Sequence, residues 1–210
     1  EENGFHNPNY LNKTEVFCLC MKVFITGAGG FIGRYLIEEL RANDYQLVGL
    51  SRKKHQTAKG IKFIKGDITK PETFSKYLKD IDIVYHNAAY AMDWGKKKDF
   101  YEINVQGTRN VAEACLTQGV NRLIYTSSAG VYGYPKKDEI ITEETEKKPL
   151  NMYQKTKYEG EMLVRENAPS SFIIRAGWMM GGGRAKANKF IYKILKQIKE
   201  LKIRQLPFIW

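Results

Sequence analysis

The sequence predicts an α/β fold in which a doubly wound parallel sheet carries helices on both faces. Short apolar runs alternate with helical patterns along most of the chain, which is typical of parallel βαβ units. A glycine cluster follows the first apolar run and opens the first helical pattern. The chain has 210 residues, of which 43% are hydrophobic. A chain of that length and composition can bury a core without disulfides.

Each predicted element comes from a local pattern. The apolar runs predict six strands, at Lys22–Thr26, Gln46–Leu50, Ile61–Ile64, Ile81–Tyr85, Arg122–Thr126 and Ser171–Ile174. Apolar residues spaced at the helical period, together with a proline at one helix start, predict helices at Gly30–Ala42, Pro71–Lys79, Phe100–Gln118 and Asn151–Glu166. Gly119 suits a helix C-cap. A basic amphipathic stretch, 189–204, predicts a packed helix with a solvated lysine face rather than a membrane-surface helix.

The glycine cluster has the form expected of a phosphate-binding loop. Thr26-Gly-Ala-Gly-Gly-Phe-Ile-Gly33 joins the first strand to the first helix. Gly27 permits the tight turn, Gly30 permits close approach of a pyrophosphate, and Gly33 permits close packing of helix on sheet. The amides of the helix N-terminus, at Phe31 and Ile32, then face the phosphates. In this strand–loop–helix context the motif predicts a Rossmann-type dinucleotide site.

The end of the second strand favours NADP over NAD. An acid usually holds the ribose hydroxyls of NAD at this point, but here the chain reads Leu50-Ser-Arg-Lys-Lys54. Ser51 removes the carboxylate that would repel a 2′-phosphate, and Arg52 can fork onto that phosphate. The alternative is that Arg52 belongs to a plain solvated turn. After the third strand, Asp67 is expected at the adenine edge, with Ile68 beside it.

Tyrosine and lysine at a spacing of four predict an acid/base pair. Tyr153 and Lys157 lie at the start of a predicted helix, on one face of it. A nearby ammonium favours the phenolate and so should lower the pKa of Tyr153. The polar segment after the fifth strand includes Ser128, whose hydroxyl can donate to a substrate oxygen.

Together these motifs resemble the extended short-chain dehydrogenase/reductase family, in its epimerase/dehydratase superfamily and nearest to the dihydroflavonol reductase and 3β-hydroxysteroid dehydrogenase branch. The resemblance covers roughly residues 21–183. It rests on seven motifs in the family's order: Thr26–Gly33, Gly66-Asp67, His86-Asn-Ala-Ala89, Asn104–Thr108, Ser127–Gly133, Tyr153–Lys157 and Ile174–Gly177.

The resemblance implies roles for individual residues. Tyr153 would give or take the proton, Lys157 would bind the nicotinamide ribose, and Ser128 would hydrogen-bond the reacting oxygen. Ala88 and Ala89 would leave room for the cofactor. Asn104 would be a structural hydrogen-bonder. Alanine at position 176 and methionine at 180 depart from the usual proline and tyrosine.

Three functions follow from this comparison of motifs. The first is an NADP-dependent reductase or dehydrogenase of a secondary alcohol or ketone, with an aromatic segment, Tyr90–Trp94, as an apolar wall. The second is a sugar-nucleotide epimerase that holds NAD. The third is a dinucleotide-binding fragment without catalysis, which the intact set of Ser128, Tyr153 and Lys157 disfavours.

The local patterns and the family resemblance together divide the chain. Regular patterns start at Met21, so residues 1–20, which are polar, are expected to be a partly disordered extension. The resemblance implies that 21–177 are the dinucleotide-binding domain and 178–210 the start of a substrate region. Because extended members run about a hundred residues further, the last strand and most of the substrate domain are expected to be missing.

Composition limits the partners and the compartment. The formal net charge is +11, but the basic residues are scattered and no nucleic-acid motif accompanies them. Three cysteines, Cys18, Cys20 and Cys115, are too few for a disulfide framework and lack zinc spacing. Neither a signal peptide nor a long apolar run is present. We therefore expect a cytoplasmic protein with a small-molecule substrate, no nucleic-acid, membrane or metal partner, and a homodimer by family analogy.

Overall fold

A computed structural model describes residues 21–53, 60–120, 122–136, 138–168, 170–177 and 179. The predicted extension, 1–20, the amphipathic stretch, 189–204, and the cysteines at 18 and 20 lie outside the described residues. The described part contains a six-stranded sheet with the order β3-β2-β1-β4-β5-β6. Its strands are β1 Lys22–Thr26, β2 Gln46–Ser51, β3 Ile61–Lys65, β4 Ile83–His86, β5 Arg122–Ser128 and β6 Phe172–Ala176.

All five strand pairings are parallel. The strand order reverses between β1 and β4, which are neighbours in the sheet although β2 and β3 separate them in the chain. This reversal creates the crevice at the carboxyl ends of the strands where doubly wound sheets bind ligands. The predicted fold class is therefore confirmed.

Helices cover both faces of the sheet. On one face, α1 (Phe31–Ala42) buries Ile37 against a cluster that includes Val23, Leu47 and Ile124. On the other, α3 (Gly107–Gln118) and α4 (Met152–Asn167) pack on a second cluster. That cluster contains Phe24, Val84, Leu123 and Tyr125 from the strands and Val111, Cys115 and Val164 from the helices.

The helix preceding α3 differs from the prediction. The helical path begins at α2 (Lys97–Phe100), continues as a π-helical segment over Tyr101–Gln106, and becomes regular at α3. The helical segment predicted from about Phe100 to Gln118 thus begins three residues earlier, at Lys97, and its winding is not uniform. Gly119 ends α3 with φ of 69°, as expected of a left-handed C-cap.

The predicted helix at Pro71–Lys79 forms two short 3₁₀ turns instead, Pro71–Thr73 and Ser75–Leu78. The Thr73 hydroxyl oxygen accepts the Asp67 amide and donates toward the Lys70 carbonyl, at 3.0 and 2.7 Å. These side-chain bonds compete with regular helical bonding. Phe74 and Leu78 are fully buried beneath the turns and hold them against the sheet.

The described residues were also compared with the requirements of a membrane span and of a metal site. None of the helices in the described ranges is long and apolar enough to cross a bilayer. Within the same ranges, no three His, Cys, Asp or Glu side chains are gathered as a metal site would require.

Candidate dinucleotide and catalytic site

The glycine loop is closely packed between β1 and the segment after β4. Gly27 has φ of +66°, and a methyl group added there would lie 2.9 Å from the Ala88 amide nitrogen. That distance leaves no room for a side chain. The Ala88 amide in turn donates to the Thr26 hydroxyl at 3.1 Å. The loop is therefore held against the segment after β4, and the positive φ of Gly27 is the tight turn that the sequence predicted for this glycine.

The start of α1 presents unpaired backbone donors. Gly30 is the N-cap, with an extended backbone and no side-chain capping bond. Helix geometry leaves the amides of the first turn, at Phe31, Ile32 and Gly33, without intrahelical partners. Gly33 is buried against the loop backbone. Free amides and a positive helix end suit a pyrophosphate.

Four more of the predicted cofactor residues lie at the ends of β2 and β3. Ser51 ends β2, with its hydroxyl accepting the Lys53 amide at 3.3 Å, and Arg52 is exposed directly after it. Asp67 follows β3 and uses Oδ1 to accept both the amide and the hydroxyl of Thr69, at 3.0 and 2.9 Å. Ile68 is buried. The carboxyl ends of parallel strands meet at one edge of the sheet, so all these residues lie at the same edge as Gly27.

A buried histidine links the glycine loop to α3. His86 is 0% exposed, and its Nδ1 lies 2.7 Å from Thr26 Oγ1 while Nε2 lies 3.0 Å from Thr108 Oγ1. The Thr26 hydroxyl already accepts the Ala88 amide, so it donates to Nδ1. Thr108 donates its own proton to the Asn104 carbonyl at 2.7 Å. The Nε2 atom must therefore carry the ring proton, and the ring is neutral.

The charge state of His86 agrees with this pattern of donors. Burial, reinforced by the nearby charge of Lys157, lowers the pKa of His86 from 6.5 to about 3. The sequence identified His86 only as part of a motif and gave it no role. Its function in the described structure is to join strand β1 to helix α3 through neutral hydrogen bonds.

Asn104 fixes the loop after β4 to the catalytic helix. Its Oδ1 accepts the Tyr90 amide at 2.7 Å, and its Nδ2 donates to the Tyr90 carbonyl and to Thr156 Oγ1 at 3.3 and 3.0 Å. The side chain is fully buried. With every one of these bonds internal, Asn104 acts as the structural hydrogen-bonder that the family resemblance implied.

The three predicted catalytic residues are Ser128, Tyr153 and Lys157, and the structure gives the position of each. Ser128 is the last residue of β5, rather than part of a turn beyond it, and its Oγ accepts the Gly130 amide at 3.1 Å. Tyr153 lies in the first turn of α4, with its hydroxyl close enough to the Ser128 side chain for the two to interact. Lys157 lies one turn further, on the same face of the helix. The structure thus brings two of the three predicted side chains into contact.

A capping box sets where α4 begins and therefore where Tyr153 points. The Asn151 side chain accepts the Gln154 amide at 2.9 Å, and Gln154 Oε1 accepts the Leu150 and Asn151 amides. This reciprocal bonding fixes the first turn of the helix. The sequence placed the start of the helix one residue earlier, at Asn151, which is instead its cap.

Burial dominates the ionisation of the catalytic pair. Burial raises the pKa of Tyr153, and the hydrogen bond from Ser128 offsets only part of that rise. The pKa of Tyr153 therefore moves in the direction opposite to the lowering that was predicted from Lys157. Lys157 is 1% exposed, and burial lowers its pKa from 10.5 to about 7, against an opposing effect of Glu161. Its ammonium lies 4.0 Å from the centre of the Tyr125 ring.

Sequence reasoning missed a buried ion pair behind this set. Glu161, one turn beyond Lys157, forms a salt bridge with Arg175 of β6 at 2.8 Å. Glu161 lies in a predicted helix and Arg175 in one of the matching motifs, but neither was given a role. The spacing of four between Lys157 and Glu161 singles out Glu161, whereas nothing local to the chain indicates Arg175.

Comparison with known proteins agrees with the geometry. The family model described as the NAD dependent epimerase/dehydratase family matches residues 23–209. A 2-alkyl-3-oxoalkanoate reductase of Shewanella oneidensis is 32% identical over 166 residues, which are 76% of this chain and 43% of the reductase. A UDP-glucose 4-epimerase of Lactobacillus helveticus is 36% identical over 153 residues, covering 69% of this chain and 46% of the epimerase.

Solved structures show the same fold. The UDP-glucuronic acid 4-epimerase from Bacillus cereus, in complex with NAD, superposes with a TM-score of 0.73 at 29% identity. The match covers 86% of this chain and 63% of the epimerase. The chain thus spans less than half the length of the two sequence relatives and under two thirds of this structure.

Proposed function

The chain belongs to the NAD-dependent epimerase/dehydratase family, and from that premise we propose that it is an oxidoreductase moving hydride between a nicotinamide cofactor and a secondary alcohol or ketone. The observation that carries this proposal is the placement of Ser128 and Tyr153 beside each other at the carboxyl edge of the sheet, with Lys157 one helical turn away. Dinucleotide binding alone has no use for such a set.

The residues present fit a dinucleotide. Glycine at position 27 lets the loop pack directly against the Ala88 backbone, where an added methyl would collide, and this packing holds the loop in place beside the start of α1. The first-turn amides of α1 would hold the pyrophosphate, and Asp67 with Ile68 would line the adenine pocket. Ala88 and Ala89 would lie against the middle of the cofactor. When bound, the nicotinamide supplies or accepts the hydride.

The protein's own contribution is to hold and move one proton. In ketone reduction, Ser128 would donate a hydrogen bond to the carbonyl oxygen, and Tyr153 would transfer its phenolic proton to that oxygen. Because burial raises the pKa of Tyr153, the phenol stays protonated at neutral pH and is ready to donate. In the oxidative direction the same tyrosine must lose its proton, and a charged Lys157 would favour that step.

The second strand supports NADP as the cofactor. Ser51 and Arg52 stand where NAD-binding chains usually carry an acid. Arg52 is exposed, so its guanidinium is free to fork onto a 2′-phosphate. The choice of NADP over NAD is a proposal of its own, because the epimerase superposed above binds NAD.

A titration of the chain with NADPH and NADH, followed by quenching of tryptophan fluorescence, tests the cofactor choice. We expect tighter NADPH binding, weakened by Arg52→Ala about tenfold or more, as for loss of a charge-assisted hydrogen bond of about 1.5–3 kcal/mol. Lys53→Ala is the matched control, since it removes a neighbouring positive charge. Equal losses in both variants would reduce the effect to general electrostatics and contradict a specific role for Arg52.

A sugar-nucleotide epimerase is the second candidate function. The similarity to two 4-epimerases supports it. Tighter binding of NADH than of NADPH would favour it, as would turnover of a UDP-hexose without net reduction of added cofactor. Turnover of a ketone with net oxidation of NADPH would favour the reductase.

We also propose the domain division and the assembly. Residues 21–177 would form the dinucleotide domain and 178–210 would begin the substrate region. A cytoplasmic homodimer with a small-molecule substrate, and without nucleic-acid or membrane partners, remains the prediction. Light scattering would report a dimer directly.

A further inference from the structure

Arg175 and Glu161 form a buried two-pronged ion pair behind the catalytic helix. Arg175 Nε donates to both carboxylate oxygens of Glu161, at 3.0 and 3.2 Å, and Nη2 donates to Oε2 at 2.8 Å. The Glu161 side chain is 1% exposed and that of Arg175 is 10% exposed. A fork of this kind fixes both partners in orientation as well as in charge.

The same guanidinium also ties down the segment that follows Ser128. Its Nη1 donates to the Tyr132 hydroxyl at 2.5 Å and to the Glu143 carbonyl at 3.3 Å. Tyr132 closes the 3₁₀ turn that begins directly after Ser128. Arg175 therefore connects β6, α4 and the turn beyond β5.

Lys157 lies on the same helix face as Glu161, one turn before it. His86 faces it from β4, Tyr125 from β5, and Tyr153 and Glu161 from α4 itself. His86 is neutral, and the negative charge of Glu161 opposes the effect of burial on this ammonium. No ion pair within 4.0 Å joins Lys157 to Glu161 in the described structure, where both oxygens of Glu161 are engaged by Arg175.

We propose that Glu161 and Arg175 are positioning residues that set the charge and the direction of Lys157: Glu161 favours the charged form of the lysine, while Arg175 keeps Glu161 from capturing it. A lysine drawn into a direct pair with Glu161 would turn away from Tyr153 and the nicotinamide ribose. Without Glu161, the uncharged form of the lysine would predominate at neutral pH. This inference rests on the proposed function for its purpose, but its physical content concerns Lys157 alone.

The two halves of the salt bridge should act on Lys157 in opposite directions. Glu161→Gln removes a negative charge and exposes Lys157 to an unbalanced Arg175, so the pKa of Lys157 should fall from about 7 by about one pH unit or more. Arg175→Gln removes a positive charge and frees Glu161, so the pKa should rise by about as much. If the salt bridge only stabilised the fold, the pKa of Lys157 would shift in the same direction in both variants.

The experiment is a pH titration of the lysine ¹³Cε resonances in the 210-residue chain, with no dinucleotide present. The signal of Lys157 is assigned by its loss in Lys157→Arg. Glu159→Gln is the matched control, because it is the same substitution on α4 and Glu159 instead accepts the Tyr101 hydroxyl at 2.9 Å. That control should leave the pKa of Lys157 at its wild-type value, and Arg175→Lys, which keeps the charge, should do the same.

Opposite shifts in the two variants support the proposal, and shifts of equal sign, or none, overturn it. Circular dichroism at each pH shows which variants are folded. Each variant carries its own required sign, so either one suffices if the other does not fold. Failure of dinucleotide binding in the separate fluorescence titration would instead count against the proposed function, since the lysine titration needs no cofactor.

Discussion

Protonation of His86 should dominate the loss of stability in mild acid. The ring is buried and accepts from Thr26 at Nδ1 while donating to Thr108 from Nε2. Its pKa is lowered from 6.5 to about 3. Between these two values the unfolded chain binds a proton that the folded chain does not, so the free energy of unfolding falls as the pH falls through this window.

The magnitude follows from the two pKa values. One pH unit corresponds to about 1.4 kcal/mol, so lowering the pH from 7 to 5 should remove about 2 kcal/mol through His86 alone. Single domains are stable by only about 5–15 kcal/mol, so this loss is measurable. The assay is urea denaturation at pH 7 and pH 5, in the wild type and in His86→Gln. Glutamine keeps an acceptor and a donor but does not titrate.

The comparison uses the change with pH and not the absolute stability, which the substitution itself will lower. Contributions from Lys157 and the carboxylates are shared by both proteins and cancel. We expect the wild type to lose about 2 kcal/mol more than His86→Gln over this range. If both proteins lose the same amount, the histidine is not held neutral in the folded state and the hydrogen-bond assignment is wrong.

Three further predictions test the loop, the helix cap and the acid/base residue. Gly27→Ala should lower the free energy of unfolding clearly more than Gly119→Ala. Gly119 has φ of 69° but nothing within 4 Å of an added methyl, so this control isolates the backbone strain of about 1–2 kcal/mol. Equal losses in urea denaturation would refute the close contact at Gly27. Asn151→Ala should cost about 1 kcal/mol of stability by removing the capping box, while a loss under about 0.3 kcal/mol would refute the cap's contribution. Tyr153→Phe should abolish ketone turnover yet keep NADPH binding, and unchanged turnover would exclude Tyr153 as the acid.

The parts of the fold that local patterns determine could be predicted from the sequence. The strands follow from apolar runs, and the phosphate loop follows from glycine spacing, because both depend on residues adjacent in the chain. The 3₁₀ turns after Asp67 could not be predicted, since Thr73 competes for backbone groups only once the loop is folded. The predicted Pro71–Lys79 helix fails for that reason.

The candidate site divides in the same way. Tyr153 and Lys157 could be found because their spacing of four is local. The pairing of Glu161 with Arg175 requires β6 to lie beside β5 and beneath α4, which no local pattern specifies. The raised pKa of Tyr153 was missed for a related reason, because the degree of burial depends on packing between distant segments.

The π-helical segment at Tyr101–Gln106 has a consequence for chain length. Such a segment holds one residue more than regular winding needs, and each residue of a regular helix turns the chain by about 100°. Deleting one residue there would let regular winding replace the π segment, because five regular residues turn the chain about as far as the six residues present. The contact between Tyr90 and Phe100, whose ring centres lie 4.9 Å apart, should then survive. Asn104 lies within the segment, and its hydrogen bonds to Tyr90 and Thr156 depend on the direction that the extra residue gives its side chain. The helix should thus tolerate such a deletion, while the buried hydrogen bonds of Asn104 should not.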